Sequence, residues 1–458
     1  MPDSALPETA THDAKSLRRF TYFLVIAVAA GSALANILTA TVLYSPAKPW
    51  PKRVPPHLPM YGANDRSRWC TVWSLVERGT YQIDEIIEEP GWNTIDKGRF
   101  KDHFYSSKPP FLSTIVAGIY WAVKRTCGLD LLGQTHETVH AILVIINWLP
   151  WIVALGLLAA IGERYAATDW SRIFLVVAAA GGTFLTTFLT TFNNHTIAAC
   201  AVVFALYPLL RIVNDGRRDG WLFALAGFWG AFAACSEIPA ALLGVFLFLI
   251  LVRQSPRQVV CWFIPAALVP LAFFFYTNWL CTESLLPFYA NFGAPNDTFY
   301  KYVYQGKPSY WMNPSPQDVG ESSPLKYLFH CTFGHHGIFS LSPIFLLTIA
   351  GWCRLGKPSA LRIVGWLSLV LTVCVLAFYL GRTQSYNYGG NTSGLRWAFW
   401  LIPLWLLALV PALDAWGDRR WVRITSALLL AISVFSASVP HNTPWQPPWI
   451  KNLLDRLE

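Results

Sequence analysis

Asp65 and Lys108 stand near the two ends of a polar stretch, Tyr61 to Pro110, set between very hydrophobic regions. One end reads Y-G-A-N-D-R-S-R-W and the other H-F-Y-S-S-K-P-P-F. About fifty residues of polar chain are too many for a simple connector. A carboxylate takes a proton from an acceptor hydroxyl once it lies within about 3 Å of it. A fixed ammonium neutralises a departing phosphate, most strongly where the dielectric is low. Held at a lipid surface, this pair of residue types suits group transfer from a phosphate.

Each residue has a plainer reading. Asp65 precedes an apolar stripe at helical spacing, Trp69, Val72, Trp73 and Val76. That spacing predicts an amphipathic helix lying on the membrane, with Asp65 as its N-cap. Lys108 precedes Pro109-Pro110, which favours an extended lysine before a helix start, and such lysines commonly snorkel. Arg396 follows a turn containing Gly389, Gly390 and Gly394 and enters an apolar run. An arginine at a membrane edge needs a partner: a phosphate, Asp65 or Glu237. Glu237, beside Pro239, reads alone as an exposed turn acid. His195 with Asn193 and Asn194, and His330 with His335 and His336, are types that ligate metals. No H-E-x-x-H or Cys/His spacing accompanies them, so hydrogen-bonding loop histidines and no metal are expected.

The elements that must position these residues follow from composition. Of 458 residues, 54% are hydrophobic and 13% charged, with 22 Trp and 29 Phe. Soluble domains carry roughly 25% charge, so a polytopic all-α membrane protein is expected. The net charge of +9 does not point to nucleic acid, because Lys and Arg sit in short loops between apolar runs. The nine cysteines lie mostly inside those runs. Cys281 and Cys331 share an outer loop, the one place where a disulfide is allowed.

Apolar runs begin at Thr21–Tyr44 and continue through 140–161, 173–192, 196–213, 221–236, 240–252, 259–279, 338–353, 363–380, 397–413 and 424–439, about eleven spans. Phe111 to Val123 is short and reads as an interfacial helix. Six inner segments carry Lys or Arg clusters, which places the N-terminus in the cytoplasm. Asp65, Lys108, Asn193 to His195, Glu237, the histidine-rich loop and Arg396 then all fall outside. The expected organisation is one transmembrane domain, 1–458, with a first outer loop at 45–112 bearing interfacial helices. A second long outer loop occupies 281–337, and no soluble domain is expected.

With those residues placed, the chain resembles the GT-C glycosyltransferases. Within them it is similar to the protein O-mannosyltransferase, aminoarabinose-transferase and RgtA/B-like group. The resemblance rests on D-x-x-R-W at Asp65, Arg68 and Trp69, E-R-G-x-Y at Glu77 to Tyr81, and S-K-P-P-F. It also rests on G-H-H-G-I-F-S-L-S-P from Gly334 to Pro343 and Y-G-G-N-T-S-G-L-R-W from Tyr388 to Trp397. It implies transfer of a sugar from a polyprenyl-phosphate carrier to a protein, lipid or glycan acceptor. The reaction would invert the anomeric carbon on the periplasmic face of a bacterial inner membrane. Asp65 would be the general base, and Lys108 and Arg396 would hold the donor phosphate. Arg68, Asn194, His195, Glu237, His335, His336 and Tyr388 are further donor- or acceptor-site candidates.

Some positions depart from the pattern. Many relatives have an acid pair where this chain has Asp65-Arg66. Aminoarabinose transferases have E-K-P-P where this chain has Ser107-Lys108, and an acid of the second outer loop is replaced by Asn193-Asn194-His195. These weigh against a bound divalent metal, and no cofactor beyond the lipid donor is expected. They keep a non-catalytic scaffold open. A flippase for lipid-linked sugars, which would bring charges to mid-membrane, is the other alternative.

Overall fold

The computed structural model describes residues 8–42, 54, 56–60, 62–291, 298–382, 386–441 and 443–457. Tyr44, Tyr61 and most of the opening of the first outer loop lie outside the described residues, as do 292–297 of the second.

In lipid every backbone N–H and C=O must be paired within its own segment, so long apolar runs become helices. The helices in chain order are α1 (Glu8–Thr39), α2 (Ala63–Glu77), α3 (Pro110–Cys127), α4 (Thr135–Tyr165), α5 (Asp169–Thr190, interrupted after Gly181) and α6 (Asn194–Asn214). They continue as α7 (Gly220–Ser236), α8 (Ile238–Val252), α9 (Pro256–Thr282), α10 (Pro324–Thr332), α11 (Pro343–Trp352), α12 (Arg362–Leu380), α13 (Arg396–Trp416), α14 (Arg420–Ser438) and α15 (Trp449–Leu454). Eight of those described, α1, α4, α5, α6, α9, α12, α13 and α14, are long and apolar enough to cross a membrane. The shorter apolar helices α7, α8 and α11 occupy the remaining expected segments. Phe23, Val28, Val153, Val260, Val269 and Leu428 expose apolar side chains around the bundle, as lipid contact requires.

One end of the bundle is laced by ion pairs. Arg18 of α1 donates to Glu163 of α4 at 2.7 Å and pairs with Asp169 of α5 at 3.1 Å. Asp215, at the end of α6, takes Arg164 at 2.8 Å and Arg211 at 2.6 Å. This is the end that carries the Lys and Arg clusters of the expected inner loops. The polar clusters expected outside gather at the opposite end.

There the two outer loops pack on each other. Strands β1 (Lys97–Phe100) and β2 (His103–Ser106) form an antiparallel hairpin, Lys97 opposite Ser106. A second small hairpin, β3 (Val303–Tyr304) with β4 (Lys307–Pro308), lies against it. Arg99 N–H donates to the Phe299 carbonyl at 2.8 Å, and Trp311 Nε1 to the Ile95 carbonyl at 2.8 Å. The Lys97 ammonium sits 3.6 Å from the Tyr304 ring centroid.

Two expectations change here. Helix α2 is not a float on a lipid surface: from Asn64 to Ser74 both its apolar and its polar sides are buried. Trp69 packs on Phe192 with centroids 5.0 Å apart, and the polar side meets other polar side chains instead of water. Cys281 and Cys331 form no disulfide; both are free, buried thiols. Helix α3 buries Phe111, Leu112, Val116 and Tyr120 on one face and carries Lys124 and Arg125 in its last turn.

Helix contacts in membranes use small residues, because close packing replaces the hydrophobic drive. An added Cβ on Gly227 of α7 would lie 2.3 Å from the Phe263 carbonyl of α9, whereas Gly156 of α4 faces open space. Gly227→Ala is expected to lower the thermal unfolding midpoint in detergent, at a cost of about 1–3 kcal/mol. Gly156→Ala should leave it unchanged. Equal midpoints would show that the α7–α9 contact is looser than described.

Candidate active site

The N-cap of helix α2 is Gly62 and not Asp65, which lies three residues further on in the first turn and closes the end with its side chain. Asp65 Oδ1 accepts the Gly62 N–H at 2.7 Å and the Arg66 N–H at 3.0 Å. The side chain is fully buried. Burial pushes its carboxyl up to about 6, against the pull of Arg66 and of the backbone N–H groups of Gly62 and Arg66. Gly62 lies under the Trp445 indole, since a Cβ there would meet the ring at 2.9 Å. The Arg396 guanidinium rests over the same indole, 5.2 Å from the ring centroid. Gly62, whose N–H Asp65 accepts, and Arg396 therefore converge on Trp445 from two distant parts of the chain.

Arg396 is held by the glycine turn. Its Nε and Nη2 donate to the Gly389 carbonyl at 3.0 and 2.6 Å. Gly389 has φ +95°, and a Cβ there would meet Arg396 Nε at 2.6 Å, so both the backbone and the guanidinium require glycine. Arg396 Nη1 lies 2.7 Å from His195 Nε2. Arginine only donates, so His195 Nε2 is the acceptor and its proton resides on Nδ1. Nδ1 faces Glu237 Oε1 in close contact. Asn193 caps α6 by accepting the Thr196 N–H at 2.9 Å, which sets Asn194 and His195 in the first turn. Asn194 Nδ2 donates to Glu237 Oε1 at 2.6 Å, and its Oδ1 accepts from Arg68 Nη2 at 2.5 Å. One carboxylate thus serves two arginines, one through an imidazole and one through an amide.

Lys108 completes the cationic side. Its ammonium pairs with Asp96 at 3.0 Å. The S-K-P-P segment is pinned to α2, because Ser67 Oγ contacts both the Asp96 carbonyl and Ser106 Oγ at 2.5 Å. Burial holds the Lys108 ammonium below its usual value; Asp96 opposes this, and Arg68 and Arg396 add to it. Burial likewise brings Arg68 down to about 10, with Arg396 adding and Asp96, Glu237 and Asp65 opposing. Three cations, Arg68, Lys108 and Arg396, thus share one electrostatic neighbourhood with three acids. A narrow apolar crevice lies next to Arg396, lined by Val375, Leu376, Tyr379, Leu395, Trp397 and Leu401.

No protein-family model matches the chain, and no curated protein matches it. Its shape is similar to solved structures. Against ArnT from Cupriavidus metallidurans bound to undecaprenyl phosphate, the TM-score is 0.52 at 13% identity, over 91% of this chain and 64% of that one. Against the archaeal oligosaccharyltransferase AglB from Archaeoglobus fulgidus, in complex with an inhibitory peptide and a dolichol-phosphate, it is 0.48 at 13% identity, over 96% and 57%. This chain thus spans less than two thirds of the length of either protein. The chain has the GT-C fold.

On this GT-C framework Asp65, Arg68, Lys108, Asn194, His195, Glu237 and Arg396 gather at one end. His335, His336 and Tyr388 form a second group, on the far side of the glycine turn. Glu237 is 6% exposed, which corrects the reading of an exposed turn acid: Pro239 turns the chain, but inward. The histidine of N-N-H-T is a helix residue and not a loop one. Sequence reasoning missed Asp96 and Trp445. Asp96 is one of eight acids between residues 61 and 110, and only the hairpin fold singles it out. Trp445 carried no motif.

Lys108 and Asp96 are enclosed, at 19% and 9% side-chain exposure. Removing one partner leaves the other charge poorly solvated, while removing both does not. Lys108→Met is expected to cost about 2–4 kcal/mol of stability in detergent. The double variant Lys108→Met, Asp96→Asn should recover most of that loss. Equal destabilisation by the single and double variants would show that the pair does not hold the S-K-P-P segment.

Proposed function

We propose that this protein is a glycosyltransferase that moves a sugar from a polyprenyl-phosphate carrier to an acceptor by an inverting, general-base mechanism. The observation that carries this reading is a buried acid and three cations assembled at one end of an apolar GT-C bundle. Asp65 takes the proton from the acceptor nucleophile. The nucleophile forms its bond to the anomeric carbon from the opposite face as the carbon–oxygen bond to phosphate breaks. The electron pair leaves on the phosphate, where Lys108 and Arg396 meet the growing charge, with Arg68 beside them. The crevice beside Arg396 takes the first isoprene units. Donors fixed by a turn, an imidazole and a tryptophan face need no reorganisation during the reaction. Trp445 Nε1 and Ser393 Oγ are buried without a hydrogen-bond partner among the described residues, and they are further donors for a polar ligand.

A base whose carboxyl titrates near 6 is ionised at neutral pH yet keeps proton affinity. ArnT was solved bound to undecaprenyl phosphate, which supports a lipid-linked donor here. The site faces the periplasm of a bacterial inner membrane, and the N-terminus is cytoplasmic. The sugar comes from the hexose and pentose class, and the acceptor is a protein, lipid or glycan. One observation favours a non-catalytic scaffold: Asp65 already serves as a helix cap. Asparagine separates the two roles, because its Oδ1 still caps but is not basic.

Asp65→Asn is expected to abolish sugar transfer with expression unchanged. In the wild type, kcat/KM should fall as pH drops through about 6, where the carboxylate protonates. The stability sign is opposite. The folded value lies above the unfolded value of about 3.9, so burying the ionised form costs stability at neutral pH. That cost disappears as pH falls from about 6 to 4. Activity should therefore be lost as this group's cost to the fold is relieved. Full transfer by the variant sinks the assignment.

Orientation is checked separately by thiol labelling, with the exposed Cys127, Cys261 and Cys353 replaced by serine. Lys307→Cys should react with an impermeant reagent in intact spheroplasts, and Lys357→Cys only after lysis. The reverse result inverts the topology.

A further inference from the structure

Behind the glycine turn lies a group of side chains that the transfer mechanism does not use. Glu321, His330 and His335 bring one ligand atom each to within 4.8 Å of one another. His336 Nε2 lies 3.2 Å from the Thr392 carbonyl and can only donate to it. Its Nδ1 is then a lone pair, so His335 Nδ1, 2.5 Å away, is the donor between them. This leaves His335 Nε2 as a lone pair facing Glu321 Oε1 at 3.8 Å. Two electron-rich atoms pointed at each other require a cation between them or a proton on the imidazole. His330 stacks on His335 with centroids 3.9 Å apart, and its Nδ1 is buried without a partner among the described residues.

The supports of this group resemble those of a ligand set. Tyr388 donates to Glu321 Oε1 at 3.0 Å and lies flat on His336, centroids 4.2 Å apart. Lys326 occupies the other carboxylate oxygen, Oε2, at 2.7 Å and leaves Oε1 directed at the histidines. Partners that fix the tautomer and the carboxylate orientation are what metal ligands carry. Two imidazoles and one carboxylate suit zinc-type cations; magnesium and calcium prefer all-oxygen shells. Metal–nitrogen bonds of about 2.0–2.1 Å ask the three side chains to close in by roughly an ångström.

We propose that Glu321, His330 and His335 bind one divalent transition-metal cation of the zinc class, with a fourth position open to water. Through His335, His336 and the Thr392 carbonyl, the bound ion braces the Tyr388–Arg396 turn that presents Arg396. This site is separate from the sugar-transfer residues, and its test needs no donor.

The experiment uses full-length protein in detergent, purified by a tag without histidines and stripped of metal. One equivalent of zinc should be retained after desalting, measured by plasma mass spectrometry. Cobalt(II) should give a visible ligand-field band that zinc abolishes. His330→Ala and His335→Ala should each weaken binding at least about tenfold. Glu321→Gln keeps an acceptor for Tyr388 and serves where the histidine variants misfold; it should also weaken binding. Backbone amides across 388–396 should exchange more slowly with deuterium when zinc is bound. No retained zinc in folded wild-type protein, or variants that bind as the wild type does, overturns the site. Unchanged exchange across the turn in zinc-loaded protein overturns the bracing.

Discussion

A single buried carboxylate holds this end of the molecule together. Glu237 sits where α7 breaks into α8, and His195 and Asn194 both reach it. Through them it neutralises Arg396 and Arg68, which come from opposite parts of the chain. A guanidinium buried near lipid without a counter-charge would cost several kcal/mol, and two side by side would repel each other as well. Direct pairing of Glu237 with one arginine would strand the other. Splitting the charge through an amide and an imidazole serves both. It also leaves each arginine fixed in orientation.

The backbone around this hub follows from the same requirement. Asn193 caps α6 and delivers Asn194 and His195 together in its first turn. The left-handed Gly389 turns its carbonyl into the Arg396 fork, with no Cβ in the way. On the other side, Ser67 and Asp96 clamp the S-K-P-P segment to α2, so that Lys108 enters from the first outer loop. Trp445 closes the gap between α2 and the glycine turn. Polar groups drawn from five separate regions are therefore satisfied mainly by one another. That is how an apolar bundle can carry so much charge at one end with most of its charged groups paired.

The membrane bundle was legible in the sequence because it depends on apolar length, a property of contiguous residues. Every expected span has a helix, and even the short segments at 220–236 and 238–252 were marked by the basic loops around them. The two-sided charge pattern was legible for the same reason. What was not legible depends on contacts across the chain. Asp65 and Lys108 stood out by their flanking motifs, but nothing local assigned Lys108 to Asp96. Glu237 was misjudged because the residues beside it describe a turn and not the direction the turn faces. The polar side of α2 was expected in solvent or headgroups. An amphipathic spacing cannot tell a water-facing side from one that faces a buried polar network.

Asp65 shows how a structural role and the proposed chemical role can coexist at one atom group. A helix N-terminus stabilises a nearby carboxylate through its unpaired N–H groups. On an exposed helix that would lower the carboxyl's proton affinity. Here burial outweighs it, and the group ends above its ordinary value. The cap therefore acts as a brake on a larger desolvation effect. Without those N–H bonds the carboxyl would be driven higher still. With the bonds but without burial it would be ionised but too weakly basic. A carboxylate that must accept a proton near neutral pH needs both, and the first turn of a helix enclosed on all sides supplies both at one position.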